Sequence, residues 1–202
     1  MSSLTLFDYL PSRNAWKVRL LLHHLGREHR TVTVDIFKGE GRHPEYLRIN
    51  PTGKVPAIQL ADGRALAESN AILVYLAEGS PYMPTSAFDR AKVLQWLSFE
   101  QEQIESKIGA LRYWMHAGEW SNQSPPLIQN MRQTAQRALE VVDDQLRKRR
   151  FIASDDYTIA DMALFAYSTC AESVGVPLKC YPHFSAWIRR VEAQPGFIAA
   201  PA

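Results

Sequence analysis

The chain has 202 residues, 46% of them hydrophobic, and its 23 basic and 21 acidic side chains leave a formal charge of +2. That length buries a sizeable core, in one large domain or two small ones, and the near balance of charge provides no strong field for nucleic acid or a membrane surface. No run approaches the ~20 consecutive apolar residues of a bilayer span, and Met1-Ser2-Ser3-Leu4 lacks the basic-then-apolar order of a secretory signal. Two cysteines, Cys170 and Cys180, are too few for a disulfide scaffold and form no C-x-x-C pair. That cysteine usage points to the cytosol, and the six histidines show no ligand spacing, so no zinc site is expected. The basic run Arg147-Lys148-Arg149-Arg150 reads as a helix end complementing the dipole, not as a polyanion grip.

In chain order, Leu4-Thr5-Leu6-Phe7 reads as a short strand. Val18, Leu21, Leu22 and Leu25 then recur at i, i+3, i+4 and i+7, giving a helix with one buried face and a stop at Gly26. The β-branched run Thr31-Val32-Thr33-Val34 is a second strand, residues 37–42 are a polar loop, and Pro44-Glu45-Tyr46-Leu47 starts a short helix. Ala57-Ile58-Gln59-Leu60 and Ala65-Leu66-Ala67 flank the turn residues Asp62-Gly63 as a hairpin. Ser69 reads as the N-cap of a helix carrying Ile72, Leu73 and Leu76 inward. The order β-α-β-α-β-β-α suits one sheet with packed helices. After a break at Gly79-Ser80-Pro81 only helices are expected, over residues 87–117, 125–149, 158–173 and 182–194. The expected division is a first domain at 1–79, a linker at 80–86 and an all-helical domain at 87–202.

Three places in the first domain carry chemistry. Pro56 cannot donate to a strand ladder; a trans bond there marks a strand start, whereas a cis Val55-Pro56 bond would aim the Val55 amide and carbonyl outward for an extended peptide. Glu68-Ser69 stands at a strand-to-helix junction. It is either a plain cap beside a surface acid or a holder for an amino-acid head group, with the carboxylate at Ser69 and the ammonium at Glu68. Ser12 and Asn14 lie at the start of the first helix, where each is a cap or a donor to an anion.

Taken together, SRNAWKVRLLL (12–22), NPTGKVPAI (50–58), LAESNAILVYLAE (66–78) and YTIADMALF (157–165) make the chain resemble the cytosolic glutathione transferases over nearly its whole length. The resemblance implies an α/β thioredoxin-like domain that binds glutathione as co-substrate, an all-α domain that shapes the site for a small hydrophobic electrophile, and a homodimer. By position, Val55 pairs with the cysteinyl part of glutathione, Pro56 is the cis proline, and Glu68 and Ser69 hold the γ-glutamyl head. Lys54 approaches the glycyl carboxylate, with Lys38, Arg42 or His43 from the preceding loop. Ser12 matches the serine of theta- and zeta-like members, Asn14 stands where some bacterial relatives also contact sulfur, and Tyr9 ranks third. No cysteine occupies that position, which argues against a mixed disulfide with the protein. Leu10, Tyr113, Trp114 and His116 are expected to line the electrophile pocket. In YTIADMALF, the family's capping box falls on Thr158 and Asp161, with Tyr157 and Met162 as a staple. Conjugation of electrophiles is the leading function. A glutathione-dependent disulfide or peroxide reductase, or a binding module without activity, are the competing readings.

Overall fold

The computed structural model describes residues 4–201. Its contacts divide the chain into two compact units: one runs to Ser80 and takes in the chain from Pro195 onward, and the other is Pro81–Gln194. The division therefore falls without a separate linker at 80–86, and the last residues sit with the first unit instead of the helical one. Trp16 explains the return of the tail. Its indole Nε1 donates to the Ile198 carbonyl at 3.1 Å, and its ring meets Phe197 edge-on.

In the first unit, strands β1 (Leu4–Asp8), β2 (His29–Thr33), β3 (Ala57–Gln59) and β4 (Ala65–Ala67) form a sheet of order β2-β1-β3-β4. β2 runs parallel to β1 from the pair Leu4–His29 to Asp8–Thr33, and β3 and β4 are antiparallel. β2 thus starts and ends earlier than the sequence suggests, because the parallel register, not β-propensity, sets its ends. Phe7 pairs with Ala57 and Ala57 with Ala67, which puts all three in one apolar cluster with Val34, Tyr46 and Val55. Helix α1 (Arg13–His24) packs along α3 (Ser69–Ala77), and the short α2 (Pro44–Leu47) supplies Tyr46. Gly26 ends the α1 segment with φ of 58°, the left-handed conformation that a glycine adopts without penalty.

In the second unit, α4 (Ala87–Phe99), a π-helical stretch (Glu100–Gly109) and α5 (Ala110–His116) form one unbroken helical path. The sequence predicts a uniform helix there. The wider turn instead keeps side chains spaced by four residues, Glu100, Ile104 and Ile108, all buried. Helix α6 (Pro125–Lys148) packs on that stretch and on α8 (Pro182–Glu192). Helix α7 (Ile159–Ser168) is buried almost all round, as its lack of a polar face requires. It ends earlier than residue 173, and a 3₁₀ turn (Ala171–Val174) follows; the Ser168 and Thr169 hydroxyls bond back to the Leu164 and Phe165 carbonyls, at 2.6 and 2.8 Å. At the α7 start the capping box forms: the Thr158 hydroxyl accepts from Ala160 and the Asp161 carboxylate accepts from the Thr158 amide. The basic run is ion-paired locally, Arg147 and Lys148 with Asp144 and Arg149 with Asp155.

Candidate functional site

Ser12 is held by three backbone and side-chain bonds. Its amide donates to the Tyr9 carbonyl at 2.8 Å, its carbonyl accepts from Trp16, and its hydroxyl oxygen caps α1 by accepting from the Ala15 amide at 3.2 Å. A hydroxyl that accepts through a lone pair keeps its own proton, so the cap leaves an O–H donor beside the positive end of α1. The approach to this turn is clamped from below. Arg19 forms an ion pair with the buried Asp8 at 2.5 Å and donates a second bond to the Leu10 carbonyl at 2.9 Å. Leu10 itself is 70% exposed, two residues before Ser12. Tyr9 turns toward Phe37, with ring centroids 5.7 Å apart.

The second part of the site is the turn ahead of β3. The Val55–Pro56 bond is cis. Among the described residues, the Val55 amide and carbonyl take part in no hydrogen bond, although the side chain is buried. The segment before it is fixed: the Lys54 carbonyl accepts from the Tyr46 hydroxyl at 2.5 Å and from the buried Asn50 amide at 2.7 Å, while Asn50 Oδ1 accepts from the Thr52 amide and hydroxyl. Burial pushes the Tyr46 phenol up to about 12, so it remains a donor across the physiological range. Gly41 and Gly53 lie against each other so closely that a Cβ on Gly41 would overlap the Gly53 carbonyl; Gly53 also has φ of 70°. Of the nearby cations, Lys54, Arg42 and His43 are exposed, and Lys38 is exposed and paired with Asp35 at 3.4 Å.

The third part is the start of α3. Glu68, an exposed residue, is the N-cap with φ of 66° and ψ of 112°, a conformation that costs a non-glycine residue on the order of 1–3 kcal/mol and concentrates at functional positions. Ser69 is therefore the first helical residue, not the cap the sequence suggests. Its hydroxyl is committed elsewhere, donating to Asn14 Oδ1 at 3.1 Å. Ser69 is 5% exposed, and the bond joins the starts of α1 and α3. Ser12, Asn14 and Ser69 thus belong to one unit, with Val55 in the bend just ahead of β3 in the same unit.

Glutathione S-transferase family models match both parts of the chain, the N-terminal domain over residues 11–78 and the C-terminal domain over residues 91–195. The chain belongs to the glutathione S-transferase family. It is 30% identical to the disulfide-bond oxidoreductase YfcG of Escherichia coli K12, covering 93% of this chain and 89% of that protein. A glutathione S-transferase structure from Pseudomonas fluorescens Pf-5 superposes with a TM-score of 0.93 at 34% identity, covering 98% of both chains. A glutathione transferase from Burkholderia graminis, solved with two glutathione molecules bound per subunit, gives a TM-score of 0.84 at 28% identity, covering 96% of this chain and 85% of that one. The thioredoxin-like first unit and helical second unit are the fold of this family.

The remaining expected site residues lie in the helical unit. Tyr113 and His116 on α5 are exposed and Trp114 is half-buried; burial, with Arg112 nearby, pulls the His116 pKa below its ordinary value. Among the described residues no cluster of His, Cys, Asp and Glu has the makings of a metal site, and no helix is long and apolar enough to cross a membrane. Cys170 is buried and Cys180 exposed, both in the helical unit. Asn50, Tyr46 and Arg19 join the site only through these hydrogen bonds. Asn50 stands inside the quoted NPTGKVPAI stretch, and its position four residues before Lys54 was the one available signal.

Proposed function

We propose that the first unit binds glutathione along the Val55 backbone and lowers the pKa of its thiol, so that the thiolate attacks small hydrophobic electrophiles. The observation that carries this reading is the unpaired amide and carbonyl of Val55 beside the cis Pro56, since a bound peptide would supply both partners as an added strand. The γ-glutamyl carboxylate would then meet the Ser69 amide at the start of α3 and the ammonium would meet Glu68. Lys54, with Arg42 or His43, would face the glycyl carboxylate. Ser12 would donate to the sulfur, with Asn14 as a second donor, in the manner of serine-type family members. Leu10 offers an exposed apolar contact for the electrophile next to that sulfur.

Energies of ordinary size suffice for the activation. A free thiol with pKa ~8.5 is only about 3% ionised at pH 7, and two units of depression need about 2.7 kcal/mol. A hydrogen bond to a charged acceptor contributes ~1.5–3 kcal/mol and the helix terminus ~0.3–1 kcal/mol. No protein base is required, and Ser12 serves as donor and not as nucleophile.

The resemblance to a disulfide-bond oxidoreductase favours a second reading, in which the same bound thiolate attacks a disulfide sulfur. Neither cysteine lies in the first unit, so the mixed disulfide would form with glutathione and not with the protein. Parallel assays with a chloro-nitroaromatic and a mixed disulfide separate the two; turnover of neither, with glutathione bound, would reduce the protein to a binding module. A cytoplasmic homodimer completes the proposal. The exposed apolar side chains Tyr75 on α3 and Phe88 and Leu94 on α4 support self-association, and light scattering at micromolar concentration tests it.

A further inference from the structure

The sheet of the first unit is covered unevenly. Along β1, Leu4, Leu6 and Asp8 are buried while Thr5 and Phe7 are half-buried, so the face that carries Phe7 is the less covered one. Val32, its register partner on the edge strand β2, is half-buried too. Cover at this edge comes from Tyr46 of the four-residue α2, whose ring lies 5.6 Å from that of Phe7. A cavity of about 390 Å³ remains beside them, with apolar walls from Phe7, Val32, Val34, Tyr46 and Ile49. That volume falls in the range of small-molecule sites, roughly 300–1,000 Å³.

The charge on the lining is one-sided. Glu40 and Glu45 supply two carboxylates, and His43 is the one basic side chain among the lining residues. Glu40 is held in place, its Oε2 accepting from the Asp35 amide at 2.6 Å. Glu45 is exposed and, among the described residues, makes no ion pair. Carboxylates beside apolar walls and two aromatic rings attract an organic cation and repel an organic anion. Neither Ser12, Val55 and Pro56 nor Glu68 and Ser69 line the cavity; of the residues assigned to glutathione it shares only His43.

We propose that this cavity is a second ligand site, for an organic ammonium ion with an apolar body. The body lies on Phe7, Val32 and Ile49, and the cationic head faces Glu40 and Glu45. The site is separate from the one for glutathione and takes a ligand of the opposite charge.

Octyltrimethylammonium, octyl sulfate and octyl glucoside share one tail and differ in head charge, and calorimetric titration below their micelle concentrations compares them. The cation is expected to bind saturably at one site per chain, at least about fivefold more tightly than the anion, with the uncharged glucoside between them. Saturating S-methylglutathione is expected to leave that binding in place. Glu45→Lys is expected to reverse the order of cation and anion, and the milder Glu45→Gln to narrow the gap between them. Val32→Ser is expected to weaken all three probes alike, because it removes apolar wall and no charge. Equal affinity for the three heads, or no saturable binding of the cation, would overturn the proposal. So would cation binding unchanged in both Glu45 variants. Displacement by S-methylglutathione would put the probe in the glutathione site instead. If the cation split an oligomer seen by light scattering, the groove would be an interface between copies of this chain, and the proposal would fall.

Discussion

Replacing Asp161 removes an acceptor that four donors share. Its Oδ1 accepts from the Ile152 amide at 2.9 Å and the Trp187 indole at 2.8 Å, and its Oδ2 accepts from the Thr158 amide at 3.1 Å and hydroxyl at 3.3 Å. The carboxylate is fully buried, so Asp161→Ala strands three N–H groups where water does not reach them. At about 1–3 kcal/mol for each unsatisfied donor, less what relaxation recovers, the loss is roughly 3–6 kcal/mol. That is a large part of the ~5–15 kcal/mol that holds a domain together. Asp161→Asn keeps one oxygen but turns an N–H₂ against the Thr158 amide, and is expected to cost about half as much. Burial also raises the Asp161 pKa to about 6, outweighing the donors that favour the charged form. The native state therefore takes up this proton near pH 6, whereas an unfolded chain does so near pH ~4. Over that interval the native state binds more protons, so this group's contribution to stability grows as pH falls from 6 to 4, by up to about 3 kcal/mol. Urea unfolding followed by tryptophan fluorescence at pH 4, 5, 6 and 7 measures both effects. An Asp161→Ala variant within 1 kcal/mol of the parent, or a pH dependence unchanged in Asp161→Asn, would refute the reasoning.

Ser12→Ala is expected to cost about 1 kcal/mol of stability through the lost cap, and to raise the pKa of bound glutathione by roughly one to two units; a thiolate titration that did not move would remove Ser12 as the donor. Gly41→Ala forces the Gly53 carbonyl away and with it the Lys54–Val55 backbone, so glutathione affinity, measured by calorimetry, should fall at least tenfold while the helical unit keeps its unfolding transition. Arg19→Met leaves Asp8 buried without its cation and frees the Leu10 carbonyl, a loss of about 3–5 kcal/mol readable as a drop in the denaturant midpoint.

Much of this was legible from residues alone because the informative signals are local. Gly26, the Asp62-Gly63 turn, the Ser12 cap and the Thr158–Asp161 box each depend on neighbours within a few positions, and each acts in the structure as its residue type dictates. Pairings across the fold were not legible. Ser69 looked like a cap because serine at a helix start is one by default, and only the arrival of Asn14 from another element takes its hydroxyl away. Asn50, Tyr46 and Arg19 bond backbone carbonyls only four to nine residues away, but those carbonyls lie in irregular segments, where hydropathy leaves no mark. The π-helical stretch escaped notice because apolar spacing at four residues fits an α-helix equally well over two turns. The return of the tail to Trp16 is a tertiary contact with no local signal at all.

Glutathione titrated into the unaltered protein at pH 7, with the ultraviolet thiolate band followed to saturation, addresses thiol activation by this site most directly. The account predicts saturable binding in which most of the bound tripeptide is ionised, with the band lost on acidification well below pH ~8.5. Saturable binding with the thiol still protonated at pH 7, or no binding at all, would contradict it.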